Sequence, residues 1–153
     1  MATILQSFYG LSITEQDILW AMDRLDAASF ADLANVAGKF GFKAVGLALS
    51  FAELQKIKVP VIVYLQYRGE DHFSVLRGID EQQVELGDPS WGNRRFSQRQ
   101  FLAMWETRED AQFKGKILLL LPDKNKVRPA NHAFFESPED NALPVELLAI
   151  RLF

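Results

Sequence analysis

Residues 59 to 67, VPVIVYLQY, restrict the fold more than any other stretch. Pro60 marks the entry to a continuous apolar run of strand length. Such a run lacks the alternation of a strand with one wet face, and predicts a central strand covered on both sides. The chain before it reads as mostly helical, and the chain after it as mostly strand. Strand and helix do not alternate at βαβ spacing beyond residue 59, so the pattern predicts an α+β domain with N-terminal helices packed on an antiparallel sheet.

Local signals fill in the elements. Ile4, Leu5 and Phe8 share a helical face, and Gly10 suits the residue after a helix end. No Ser, Thr, Asp or Asn precedes this helix as a cap, and two turns are too short to stand alone. It reads either as the back part of a longer, truncated helix or as a frayed terminal one. Thr14 and Asp17 have capping-box spacing ahead of EQDILWAMDRL, whose inner face should carry Ile18, Leu19 and Met22. Ser29 should cap FADLANVAGKFG, with Leu33, Val36 and Phe40 at helical spacing and Gly41 as the stop. FKAVGLAL reads as a strand, and Ser50 caps a short helix, FAELQKI. HFSVLRGI and QVELGDP read as two strands joined by a polar turn, Ser97 caps QRQFLAMW, and KGKILLLLP makes a last strand. Trp20, Trp91 and Trp105 are expected to pack, with Trp91 near a cleft. The domain should span residues 1–121. The tail, 122–153, should be irregular through DKNKVRPANHAFFESPEDNALP and should end in VELLAIRLF, apolar enough to dock on the domain or on a partner.

Composition excludes several functions. A length of 153 residues suits one domain, and a net charge of −3 makes no case for nucleic acid or an anionic membrane surface. Arg94-Arg95 and Lys124-Asn125-Lys126 are too short for a phosphate-tracking stripe and read as solvated surface. With no cysteine, the chain can form neither disulfides nor thiolate metal sites. Two histidines without an HExxH pattern predict no metal, and no Gly-rich loop follows a strand, so no cofactor is expected. No run reaches transmembrane length, and Met1 leads into ATILQSFYG without the pattern of a signal peptide. The chain reads as soluble. Its compartment stays open, periplasmic if the full-length gene carries a signal peptide and otherwise cytoplasmic.

One pair of residues carries chemistry. His72 and Asp88 lie on strands that should be antiparallel neighbours. A three-residue turn, Asp80 to Gln82, would set His72 opposite Ser90, with Asp88 as its diagonal neighbour on the same face. A one-residue slip would separate them. In that register Asp88 accepts from one ring nitrogen of His72 and leaves the other as a base. On geometry alone, a single His beside a single Asp is more often a satisfied ion pair or surface pair than a catalytic dyad. Asp71 should point to the opposite face, and His132 should be solvated. The serines are caps, turn residues or strand residues, and none has the glycines of a nucleophile elbow.

The order of ATILQSFYG, ITEQDI, LANVAGKFGFKAVGL, VPVIVYL, DHFSVLRGI and LGDPSWGNRRFSQRQFLAMW resembles the bacteriocin-processing, double-glycine leader peptidases. These are bacterial papain-like cysteine peptidases, found as domains of peptide-exporting transporters and as stand-alone proteins. The resemblance covers residues 1 to about 121, and its most specific part is the spacing from the HF pair to DPS.G. It implies a papain-like fold, with His72 as general base and Asp88 as its orienter. It also implies that the nucleophilic cysteine lies about five residues before Met1, at the start of a helix whose later turns are ATILQSFYG, with an oxyanion-hole glutamine further upstream. The expected activity is thiol-protease cleavage of a leader-bearing peptide or protein, in the setting of a secretion or export system. Without the cysteine, the 153 residues are expected to be inactive. The other reading is a non-catalytic peptidase-like module that binds an export substrate. The shortened first helix also raises the expectation of a homodimer through an apolar groove left open beside it.

Overall fold

The computed structural model describes residues 1–22, 28–123 and 127–135. Six strands form one sheet: β1 (Phe42–Leu49), β2 (Val61–Tyr67), β3 (Glu70–Ile79), β4 (Gln83–Asp88), β5 (Gly92–Ser97) and β6 (Gly115–Pro122). Their order across the sheet is β1-β6-β2-β3-β4-β5, and every neighbouring pair is antiparallel. The VPVIVYLQY run forms β2, paired with β6 on one side and β3 on the other. Its Val61, Ile62, Val63 and Leu65 are buried, as a central strand requires.

Helices cover both faces. On one, α3 (Phe51–Leu54) and α4 (Gln98–Trp105) pack on Val45, Leu47, Val61, Val63, Leu65, Leu76, Ile117 and Leu119. On the other, an N-terminal helical stretch, π-helical over Ile4–Phe8, joins α1 (Glu15–Met22) and α2 (Phe30–Lys39) over Ile62, Val75, Leu118 and Leu120. The expected caps form. Thr14 and Asp17 bond reciprocally, as do Ser29 with Asp32, Ser50 with Glu53 and Ser97 with Gln100. Gly10 ends the first helix at φ 72°, where a Cβ would also come within 2.8 Å of the Ala130 side chain. That close approach belongs to residues 127–135, which dock through Ala130 N–H on the Phe8 carbonyl (2.8 Å) and bury Phe134 and Phe135.

Some expectations need correction. β5 is an additional strand, exposed and polar over Gly92–Arg95. In α1 only Ile18 is buried, while Leu19 is 44% and Trp20 73% exposed. This short helix turns a single row toward α2, so its flanking apolar residues stay at the surface. α3 is one turn, and Lys56 and Ile57 follow it through bonds to Glu53 and Leu54 carbonyls. His132 is exposed, as expected for the tail. The VELLAIRLF segment, Lys124-Asn125-Lys126 and the DRL end of the first long helical pattern lie outside the described residues. Among the described residues, no helix is long and apolar enough to cross a membrane.

One contact ties the last strand to the helix before it. The Trp105 indole is fully buried, stacks on Phe101 and donates to the Lys116 carbonyl at 3.1 Å. A Cβ on Gly115 would lie 2.1 Å from Trp105 Cε2. Because the indole is enclosed, it has little room to yield. Gly115→Ala should therefore destabilise the fold by roughly 1–3 kcal/mol, as overpacking does. A urea or thermal midpoint equal to the parent's would show that the indole has space to move.

Candidate active site

The hairpin of β3 and β4 brings His72 and Asp88 together by a route that differs from expectation. The turn is tighter: Ile79 pairs with Val84, and Asp80 N–H donates to the Gln83 carbonyl, leaving a two-residue loop of Glu81 and Gln82. The Asp80 carboxylate braces it by accepting from the Gln82 and Gln83 N–H groups. Continued regularly, this register would put His72 and Asp88 on opposite faces. A β-bulge between Leu76 and Gly78 inserts one extra residue, Arg77, and shifts the pairing. Beyond it, Leu76 faces Leu86 and Val75 faces Gly87, which is the register the sequence called for. Turn and bulge differ from a plain three-residue hairpin by compensating steps.

The result is a close pair. His72 Nε2 lies 2.5 Å from Asp88 Oδ2, with the carboxylate side chain fully shielded and the imidazole 20% exposed. The other carboxylate oxygen accepts from the Ser90 N–H (2.8 Å) and the Trp91 N–H (2.9 Å). The DPSWG sequence explains these bonds. Asp88 ends β4 and folds the next backbone amides onto its own side chain, and Gly92 at φ 71° redirects the chain into β5. Burial pushes the Asp88 pKa upward, but hydrogen bonds from His72, the Trp91 and Ser90 amides and the Ser74 hydroxyl outweigh it. The carboxyl is held below its ordinary value and stays ionised.

An ionised partner at Nε2 selects the tautomer with hydrogen on Nε2 and leaves the Nδ1 lone pair available. The Trp91 indole stacks on the imidazole, with centroids 4.4 Å apart and planes 20° from parallel, and rests edge-on against Tyr67. Trp91 thus holds both partners, one by its amide and one by its ring. The expectation that Trp91 lies near a cleft holds.

A cleft of about 680 Å³ adjoins His72, walled by Phe30, Tyr64, Phe73, Ser90 and Lys116. Phe30 stacks on Phe73, and Tyr64 leans on both. The Tyr64 hydroxyl donates to Asp71 at 2.5 Å, and burial followed by that acceptor raises its pKa. Asp71 is therefore engaged on the opposite face from the imidazole, as the alternation predicts. Lys116 Nζ sits 3.9 Å from the Tyr64 ring centroid. Burial lowers the Lys116 pKa against the pull of Asp71. Sequence reasoning did not pick out Tyr64, Phe30 or Lys116; the diagonal of Tyr64 and Asp71 across β2 and β3 was the available signal. A second depression, about 290 Å³ and mostly apolar, shares Ala28, Phe73 and Pro89 with this cleft and reaches Met1, Thr3 and Ser74.

Residues 1–109 match the Peptidase C39 family. The chain belongs to that family. It is 31% identical over 113 residues to the probable functional amyloid protease FapD of Pseudomonas aeruginosa, and 32% identical to that of Pseudomonas fluorescens. Each match covers 69% of this chain and 50% of the relative, so the chain spans about half the length of these curated relatives. Among solved structures, the peptidase domain of Streptococcus ComA, a bi-functional ABC transporter involved in quorum sensing, superposes with a TM-score of 0.64. That match has 19% identity and covers 80% of this chain and 87% of that one. A double glycine motif protease from an AMS/PCAT transporter, solved with its leader peptide, gives 0.53 at 23% identity, covering 71% and 70%. The papain-like C39 peptidase fold expected from the sequence is therefore the fold of this chain.

Asp88 supplies a pH test. Its pKa is lowered on folding, so the stability it contributes is present above the unfolded value of about 3.9 and is lost as pH falls through the lower folded value. Asp88→Asn should cost about 1–3 kcal/mol near neutral pH, since it weakens charge-assisted bonds to a buried group. The gap between parent and variant should narrow below about pH 4. A gap that stays constant down to acid unfolding would show that the carboxylate charge is not what these donors stabilise.

Proposed function

We propose that His72 and Asp88 are the base and orienter of a Cys-His-Asp peptidase site acting on a leader-bearing peptide or protein substrate. The observation that carries this reading is the imidazole held at Nε2 by a shielded carboxylate, on a residue that lines an open cleft. In such a site Nδ1 takes the proton of a thiol, and the thiolate adds to the scissile carbonyl carbon. The imidazolium then protonates the departing amine as the C–N bond breaks, leaving a thioester. Nδ1 next activates a water that hydrolyses it.

The 153 residues contain no cysteine, so they lack the thiol this chemistry needs and should not cleave peptides. The resemblance assigns that thiol to a segment preceding Met1, on the helix continued by Ala2–Phe8. The depression joining Met1 and Thr3 to Phe73 and Pro89 supports an approach from that side. A helix N-terminus facing an imidazole lowers a thiol pKa and favours the thiolate. A substrate of this kind suits work alongside a secretion or export system. The second reading, a non-catalytic module that binds such a substrate, is favoured by the missing thiol but assigns no role to the free Nδ1.

The test joins a Cys-Gly-containing helical segment ahead of Met1 and measures cleavage of leader peptides. The extended chain should turn over substrate, and His72→Ala within it should lose at least about 10³-fold in kcat/KM. Equal turnover by the His72→Ala protein would remove the proposed role. Binding without cleavage, in an extended chain that is folded and carries a titratable thiol, would favour the binding module. Light scattering on the 153-residue chain tests the expected homodimer, and a monomer at high concentration removes it.

A further inference from the structure

On the sheet face opposite the His72–Asp88 pair, a depression of about 470 Å³ lies over β4 and β5 beside the short 3-10 helix His132–Phe134. Arg77, Arg94, Arg95 and Asn93 line it beside the Phe134 ring and the Leu86 segment of β4, with Glu85 as the one acidic group among the described residues. Two of the arginines are engaged. Arg95 pairs with Glu85, and Arg94 Nε donates to the Trp91 carbonyl at 3.0 Å. Arg77 is different. Its guanidinium lies 4.4 Å from the Phe134 ring centroid, and its Nε is shielded from water and has no hydrogen-bond partner among the described residues.

That orphan donor needs an explanation, because a shielded guanidinium N–H without an acceptor is costly. The backbone is shaped to keep it there. Arg77 is the residue inserted at the bulge, and its side chain runs across Gly87, where a Cβ would come within 2.8 Å of Arg77 Cδ. It therefore reaches toward Asn93, the residue paired with Gly87 on β5. β5 pairs only with β4 among the described residues, so its outer backbone groups face the open edge.

We propose that this depression binds a peptide carboxylate, an acidic side chain of an extended segment lying along the β5 edge. Arg77 supplies the principal fork of donors, Asn93 and Arg94 add to it, and the open edge supplies backbone bonds. A nucleic acid or membrane phosphate fits less well. The basic groups form one pocket walled by the Phe134 ring, with no extended stripe to track a phosphate backbone. The site goes beyond the peptidase reading and involves no thiol, so the two can fail separately.

The experiment is an amide NMR titration of the 153-residue chain with a capped tetra-glutamate peptide, a matched tetra-glutamine peptide and inorganic phosphate. The glutamate peptide should move the Gly87, Asn93 and Arg95 amides saturably, with affinity falling as salt rises. The glutamine peptide should not. Arg77→Gln should weaken binding by about tenfold, and Glu85→Gln, which removes the competing carboxylate, should strengthen it severalfold. Equal binding of the glutamine peptide would overturn the proposal, as would phosphate binding without glutamate-peptide binding. If Arg77→Gln fails to fold, Arg94→Gln and Glu85→Gln decide, and unchanged affinity in both overturns it.

Discussion

Side chains alternate between faces along a strand, so the pairing of β3 against β4 decides which residues of that hairpin can meet. His72 and Asp88 are separated by a turn, a bulge and two strand segments, and a net error of one residue would place them on opposite faces. The two-residue turn braced by Asp80 introduces such a step, and the bulge at Arg77 reverses it. Core packing enforces the outcome. Beyond the bulge Leu76 and Leu86 face the α4 side, while Val75 faces the helices on the other. A slip would turn these side chains away from the layers they are packed into, leaving cavities on one face and overpacking on the other. The hydrophobic pattern therefore holds the register on which the polar pair depends.

With that register in place, Asp88 can be buried and charged. A lone shielded carboxylate would cost several kcal/mol. Here one oxygen meets the imidazole and the other accepts two amides from the residues that follow it. The donors come from the local chain, so the site does not rely on a distant element to remain ionised. Trp91 links this local turn to the imidazole ring, since its amide bonds the carboxylate and its indole covers the ring beyond it.

Local chemistry made much of this legible. The capping boxes at Ser29, Ser50 and Ser97 could be read because each involves residues three apart. β2 could be read because a strand buried on both faces leaves a continuous apolar run. β5 could not, because GNRRFS has one large apolar residue, Phe96, and an exposed edge strand needs no more. The bulge left no sequence mark that distinguishes it from a longer turn, and both give the same far register. Periodicity points Leu19 inward and its size suggests that Trp20 packs, but how deeply a short helix is set depends on its tertiary neighbours, which neither signal specifies. The walls of the cleft come from α2, β2, β3 and β6, so no single stretch of sequence could show them together.

A histidine that only stabilises a fold tends to satisfy both ring nitrogens, because an unpaired buried nitrogen costs free energy. His72 satisfies one. Its Nε2 is committed to the carboxylate, its ring plane is set by the Trp91 stack, and its Nδ1 has no protein partner among the described residues. The partly exposed ring lets water reach that nitrogen. The Nε2 bond and the Trp91 stack stabilise the fold and fix the ring, while Nδ1 stays open to water. A ring fixed in this way is a pre-oriented proton acceptor, which is what the proposed role of His72 as a base requires.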